Sequence, residues 1–480
     1  MLDFNKKFKF MRHILYTSFF TAITFCFGCK KLTEQTPFTS IDPKDAFATP
    51  DKIEKSSLGM YDALQDAEFL GGRALIYADI RGNDVKIAPY FGNVSTFNML
   101  SSDVIALNCW AGGYKTIYAT NLFRKNLALY GTGKIPEASS KQYIAESKFI
   151  RALCYFYLVN LYAQPYNFTN DASHLGVPLV LEASTDPFSP ANKVARNTVK
   201  EVYDQMIKDL TEAFPDLPAT YSNVYFDRAR ATKGAAQGLL ARIYLYKQDW
   251  GNAIAMCDNV KALGYQLSAN AYDNWVRANY ISAANKERIF SVAMNNADNP
   301  NTNNAIGQHY GARRDISISS TYLSLPNFDN TDARKSAQFI RTVSGNSYTG
   351  KYFDNINDSW EPVLRYAEIL LIKAEALAQK NAATADPAAI DILKQIRARS
   401  SATALTPTTQ AALLTNIWDE RRMELAFEGH GSFDFLRTKR DIPARLPDHP
   451  LQSAVSNFII FPIPIRETQQ NPNLKQNLGY

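Results

Sequence analysis

Residues 363–380 read VLRYAEILLIKAEALAQK. The stretch contains no Gly or Pro, and after Val363 its only β-branched residues are Ile369 and Ile372, so it favours helix. At about 100° per residue, Leu364, Ala367, Leu371, Ala374 and Ala378 share one stripe. Tyr366, Leu370 and Leu377 lie on another side. A helix that is apolar on several sides is buried between neighbours, and the alanines at 367, 374, 376 and 378 let those neighbours come close. Glu368 and Glu375 share a face near Arg365, and buried carboxylates are costly unless paired. Arg397, Arg399, Arg421 and Arg422 are the nearest arginines in sequence. The expectation is a structural ion-pair network that includes Arg365, Glu368, Glu375, Arg421 and Arg422. This helix is scaffold.

Similar patterns flank it. Pro387 to Arg399 supplies a partner helix. Thirty-four residues from Ala231 to Gly264 place Ala236, Leu240, Ala241 and Tyr244 on a first helix, a turn at Gln248-Asp249, and Trp250, Ala253, Ile254 and Cys257 on a second. That length and this mixture of small and large residues resemble a tetratricopeptide repeat. Lys141 to Ala163 and Thr198 to Phe214 form another pair, joined by a loop with Gly176-Val177-Pro178. Helical spacing also runs from Trp110 to Tyr130, and a first helix covers about 51–66. The fold class is therefore mainly α, with about four helical hairpins, long irregular insertions and a minor β element expected at Ile289–Ala293 and Phe458–Pro464. Residues 69–105 read as an ordered loop region because Gly and Asn punctuate them. Asn295 to Arg314 is a second long loop, of the kind that is usually functional or disordered.

The amino terminus carries a different signal. KKFKFMRH precedes ILYTSFFTAITFCFG at 14–28, fifteen uncharged residues that are too short for a membrane span and right for the apolar region of a secretion signal. Gly28-Cys29 ends the run, so residues 1–28 look like a bacterial lipoprotein signal, beginning at Met1 or Met11, with Cys29 as the lipidated residue. A plain secretory signal is the alternative. Residues 29–50 then form a lipid-anchored tether, and 51–480 one domain whose amino-terminal part spans about 51–215 and whose repeat-like carboxyl-terminal part spans about 216–480. With Cys26 removed and Cys29 acylated, Cys109, Cys154 and Cys257 read as packing residues and form neither a disulfide framework nor a metal site.

Composition narrows the function. The chain of 480 residues is 46% hydrophobic and 20% charged, with 26 Tyr and 28 Phe, which is globular composition. Its formal charge of +6 falls to +3 once residues 1–28 are set aside, so neither a nucleic-acid footprint nor a polybasic membrane patch is present.

Trp418 to Arg440, WDERRMELAFEGHGSFDFLRTKR, the terminal NPNLKQNLGY and LRYAEILLIKAEALA together resemble the SusD/RagB family of outer-membrane nutrient-binding lipoproteins. Glu146 to Tyr162, Gly176 to Val180 and Phe461 to Pro464 agree, and the resemblance runs from Cys29 to Tyr480. Gly431-Ser432 departs from the family's usual Arg and larger residue there. The resemblance implies a tetratricopeptide-like scaffold carrying a ligand surface made of loops. It also implies a cell-surface, outer-membrane location, and a role as capture lid of a SusC-like TonB-dependent transporter that takes oligosaccharides or other nutrients. No enzymatic activity and no cofactor are expected. A helical-repeat envelope scaffold without a small ligand is the alternative.

His430, Ser432 and Asp434 lie within one stretch, whereas members of a catalytic triad converge from separate segments to orient one another. Gly131-Thr132-Gly133-Lys134 lacks the Ser or Thr and the first Gly of a phosphate loop. The histidines at 13, 174, 309, 430 and 449 do not have metal-site spacing. For a sugar, an exposed ring covers the C–H face while Asn, Arg or backbone groups bond the hydroxyls, which calls for aromatics in loops. Trp110, Trp250 and Trp275 sit within or beside regular patterns and read as core. Tyr90, Phe91 and Asn93 in one loop and His309, Tyr310 and Arg313 in another are the candidate ligand residues, with Tyr90 and Tyr310 as stacking platforms on one face.

Overall fold

The computed structural model describes residues 41–480 apart from Ala88, Pro187, Thr302, 353–356 and 446–449. The expected signal peptide, Cys29 and most of the expected tether lie outside the described residues. Helices dominate: α1 Pro50–Leu64, α2 Arg73–Ile80, α3 Val104–Asn126, α4 Glu137–Tyr162, α5 Val199–Ala213, α6 Lys233–Lys247, α7 Trp250–Ala262, α8 Tyr366–Lys380, α9 Pro387–Arg399, α10 Gln410–Leu425 and α11 Gly431–Arg437. Packing runs pairwise along the chain, α3 on α4, α4 on α5, α6 on α7 and α8 on α9, and α8 also packs on α7 and α10. Tetratricopeptide-like hairpins are the architecture.

Local chemistry sets the helix limits. Thr49 caps α1 with Pro50 at its first position, Asp386 and Pro387 do the same for α9, and Thr198 with Glu201 closes a capping box on α5. Such caps satisfy backbone N–H groups that have no partner within the helix. Between α6 and α7 only two residues turn the chain. Gln248 takes a left-handed φ of 61° and the Asp249 carboxylate accepts from the Asn252 N–H. Gly264, at φ +87°, turns the chain away just beyond α7.

Three expectations need correction. Val363, Leu364 and Arg365 are strand and not the first turn of the helix. Strand β6 Glu361–Arg365 pairs antiparallel with β2 Arg288–Val292, and α8 starts only at Tyr366. Residues 69–105 are not all loop, because α2 crosses them with all eight of its side chains buried. A helix buried on every side has no polar face, so its sequence shows no amphipathic period. Phe458–Pro464 is not a strand. The Phe461 N–H donates to Leu161 O at 2.7 Å, Ile463 exchanges two bonds with the Gln476 amide, and Asn477 Nδ2 donates to the carbonyls of Phe461 and Tyr162. The terminal NPNLKQNLGY therefore serves as the hydrogen-bonding partner of that segment and ties it to the end of α4. Two further small pairings join β1 Val85–Ile87 to β3 Ile316–Ile318 and β4 Ile340–Val343 to β5 Asn346–Thr349.

The ion-pair network around α8 is present, with partners other than those nearest in sequence. Glu368 accepts two 2.6 Å bonds from Arg242 on α6, and Glu375 accepts two from Arg437 at 2.6 and 2.7 Å. Arg365 bonds Glu287, Glu424 and Glu428, while Arg421 bonds Asp434 and Arg422 bonds Asp84. Arg397 and Arg399 are absorbed by Glu420 and Glu287. Every carboxylate in this set is buried or nearly so, so each guanidinium offsets a desolvation cost and removing one partner would strand the other. Cys109, Cys154 and Cys257 are free and buried, and burial pushes each thiol well up, as packing residues require.

Candidate ligand-binding surface

Two loops meet at Tyr90. The first leaves α2, passes through β1 and makes a tight turn at Pro89–Phe91; the second is the Asn-rich segment that ends in a turn at Gln308–Ala312. The Tyr90 ring is 45% exposed. Its hydroxyl accepts from Arg73 Nη2 at 2.7 Å, and the Arg313 guanidinium lies 4.9 Å from the ring centroid. Arg73 is held by Glu68 at 2.9 Å and also donates to Asn303 O, while Arg313 is held by Asn303 Oδ1 at 2.7 Å and Asp315 at 3.0 Å. A cation against a ring face is worth about 0.5–1 kcal/mol at an exposed site, so the two guanidiniums position a ring that keeps part of its surface in solvent. Beside it lies a hollow of about 260 Å³, lined by Asn93, Asp103 and Val104 among others. Asn93 is exposed there and donates to Asp103 at 3.2 Å.

The other three candidates lie underneath. Phe91, His309 and Tyr310 are buried. Phe91 packs edge-on against Tyr90 at 4.9 Å and against His309 at 4.9 Å. Both ring nitrogens of His309 face acceptors, Asp315 Oδ2 and Asn303 O, each at 2.9 Å. Burial lowers its pKa below the ordinary value although Asp315 acts the other way, and both contacts brace the second loop internally. The Tyr310 hydroxyl donates to the buried Asp79 at 3.1 Å, and its ring packs on Tyr352 and Phe427. Tyr310 as a stacking platform is therefore a correction: its ring has no face in solvent. The physical reason is that the turn at 308–312 is itself packed into the core, so a loop residue there is a core residue. The two loops do share one face, and Tyr90, Asn93 and Arg313 are the candidates that reach its surface. Arg73, Asn303 and Asp315 complete the cluster and were not picked out from the sequence.

A larger concavity lies elsewhere. A cleft of about 1020 Å³ runs along α3, with Trp110, Tyr114 and Tyr118 on one wall and residues 178–185, Ala191, Asn192, Val194, Glu467, Asn471 and Leu474 on the others. The three aromatics fall at i, i+4 and i+8, a helical stripe visible in the sequence. Trp110 is a core residue as expected, at 3% exposure, and also borders this cleft.

The remaining motifs are structural. Asp434 is bonded by Arg421 and Arg437, which hold its carboxyl far below the usual carboxylate range against the cost of burial. Burial lowers the His430 pKa to about 4. Gly131–Lys134 ends a helix, with Gly133 at φ +76°. Among the described residues, no group of three or more His, Cys, Asp or Glu side chains is placed to hold a metal ion, and no helix is long and apolar enough to cross a membrane.

Residues 37–245 match a family model described as starch-binding associating with outer membrane, and residues 263–480 match the model of the SusD family. SusD-like protein P25 of Formosa agariphila is 24% identical, over 95% of this chain and 97% of its own length. A SusD superfamily protein of Bacteroides fragilis aligns with a TM-score of 0.78 at 28% identity, over 90% of this chain and 100% of its own. A SusD-like carbohydrate binding protein of Bacteroides vulgatus aligns with a TM-score of 0.76 at 23% identity, over 89% of this chain and 97% of its own.

Proposed function

The chain belongs to the SusD/RagB family, and from that premise we propose that it captures an oligosaccharide at the cell surface and delivers it to a SusC-like TonB-dependent transporter as that transporter's lid. Cys29 carries the lipids that hold it to the outer membrane, facing the exterior, and the protein performs no chemistry on its ligand. The observation that carries the reading is the Tyr90 surface. There an exposed ring is fixed in place by two guanidiniums, with Asn93 and Asp103 beside it, on loops braced by a packed helical scaffold. The ring supplies an apolar face for a pyranose, and the arginine and amide groups supply donors for its hydroxyls. Pre-set side chains lose little entropy on binding, which favours affinity.

Capture of the tagged chain from detergent-solubilised outer membranes tests this. A TonB-dependent transporter should co-purify, and the Cys29→Ser variant should appear in the soluble or unprocessed fraction, because acyl chains supply the attachment at ~0.8 kcal/mol per buried CH₂. Recovery of other envelope proteins without a transporter would favour the envelope-scaffold reading and overturn this one.

A further inference from the structure

The cleft along α3 is built, open and unused by the surface around Tyr90. Its wall opposite the helix is rigid. The carbonyls of Pro178, Val180, Leu181, Ala183 and Ser184 all accept hydrogen bonds from side chains of α3 or α4: Tyr114, Asn121 and Tyr155, Arg124 and Arg151, Lys125, and Tyr118 respectively. The N–H groups of Leu179 and Val180 are likewise engaged, by Asn197 and Tyr155. A peptide could not add a strand to a backbone whose polar groups are already committed. What the cleft offers a ligand is therefore side chains.

Those side chains have a distinct chemistry. Trp110, Tyr114 and Tyr118 step along one stripe at about 6 Å of helix axis per ring, and Trp110 and Tyr114 lie 4.8 Å apart. Two carboxylates, Glu182 and Glu467, border the cleft, and none of its lining residues is Lys, Arg or His. Among the described residues neither carboxylate has an ion pair within 4 Å, although the Arg466 charge reaches Glu467 and Glu182 is felt by Arg124 and Arg151 at longer range. Glu467 is half-buried against the Trp110 indole, and that burial raises its pKa although the Arg466 charge and the indole act the other way. Arg196 stands behind Tyr114, but its three donor groups are spent on the carbonyls of Gly176, Leu175 and Lys475. A half-buried carboxylate with no cation in direct contact, next to a ladder of rings, gains from an ammonium group.

We propose that this cleft is a second binding site, separate from the Tyr90 surface, and that it takes an amino sugar: Tyr114 and Tyr118 receive the C–H faces of the pyranoses and Glu467, with Glu182, receives a protonated amine. It goes beyond the capture reading and does not require it, because no residue is shared between the two surfaces.

The test is calorimetric titration of the full chain with a glucosamine tetramer and with its N-acetylated, uncharged counterpart, at a pH that protonates the amine. The amine form should bind more tightly. Tyr118→Ala and Glu467→Gln should each weaken it by about 2- to 30-fold, the range of a cation held by one ring or one charge. Tyr118→Phe, which keeps the ring, should bind like the parent, and Tyr90→Ala should have no effect. Tyr118 is 41% exposed, so its variants are expected to fold. Equal affinity for the two tetramers, or an unaffected Glu467→Gln variant, would overturn the assignment of charge. Equal binding of tetra-lysine would overturn the sugar, loss of binding in Tyr90→Ala alone would move the probe to the other surface, and failure of both tetramers to bind would remove the site.

Discussion

Glu368→Ala should cost about 3–5 kcal/mol of stability. In the folded protein Glu368 receives two bonds of 2.6 Å from Arg242, and the two side chains are only 1% and 2% exposed. Burial alone would raise the Glu368 pKa, yet Arg242 brings it below the ordinary value, so the pair is ionised and its attraction exceeds its desolvation. Truncation leaves the guanidinium of Arg242 with the Val363 carbonyl as its remaining acceptor and no countercharge of its own. A surface pair supplies the contrast. Lys200 and Asp204 are 56% and 43% exposed, and breaking that contact should cost far less. The assay is urea unfolding followed by tryptophan fluorescence, with stability taken from the midpoint and slope. The double variant Arg242→Met/Glu368→Met should recover much of the loss, because replacing a buried pair with apolar groups of similar volume is often neutral. A loss below ~1 kcal/mol in Glu368→Ala would refute the reasoning, since that is the size for exposed pairs.

Two buried groups act in opposite directions on acidification: Asp79, whose pKa burial raises to about 7, gains stability as it is protonated, whereas His430 loses it. Burial lowers the His430 pKa from 6.5 to about 4. As pH falls through that window the unfolded chain takes up a proton that the native state refuses. The contribution of His430 should then fall by about 3 kcal/mol at 1.36 kcal/mol per pH unit, and His430→Gln should remove that part of the dependence between those limits. A pH profile unchanged in the variant would contradict the assignment. Tyr310→Ala should destabilise by ~3–5 kcal/mol as a core deletion, whereas Tyr90→Ala should cost less than ~1 kcal/mol as a surface change; denaturant midpoints for the two variants check both numbers.

How far the sequence reaches depends on whether the relevant contacts are local. Helices with a cap and a polar face, such as α5 and α9, were legible close to their observed ends. Helix α2 was not, because all of its side chains are buried and Gly71-Gly72 precedes it. The need for arginines at Glu368 and Glu375 was legible from burial, but their identities were not. Arg242 lies 126 residues from Glu368, and Arg437 lies 62 residues from Glu375. Tertiary packing chose them over Arg397 and Arg399, which are nearer in sequence. At the candidate site, aromatic and polar residues in two loops pointed to the surface where those loops meet. Which of them face solvent was decided by the packing of the turn at 308–312, where Asp79 and Tyr352 receive Tyr310. The ladder of Trp110, Tyr114 and Tyr118 was readable at helical spacing; the wall that turns it into a cleft comes from residues about sixty positions away.

Capture at the Tyr90 surface is measured most directly by the affinity of Tyr90→Ala, by isothermal titration calorimetry, for an oligosaccharide that the parent protein selects from a glycan array. Loss of one stacked ring should remove ~1–3 kcal/mol, by analogy with base stacking, or about ten- to hundredfold in Kd. The melting temperature should stay close to that of the parent. An affinity equal to the parent's would contradict the assignment of the Tyr90 surface as the place where nutrient is captured.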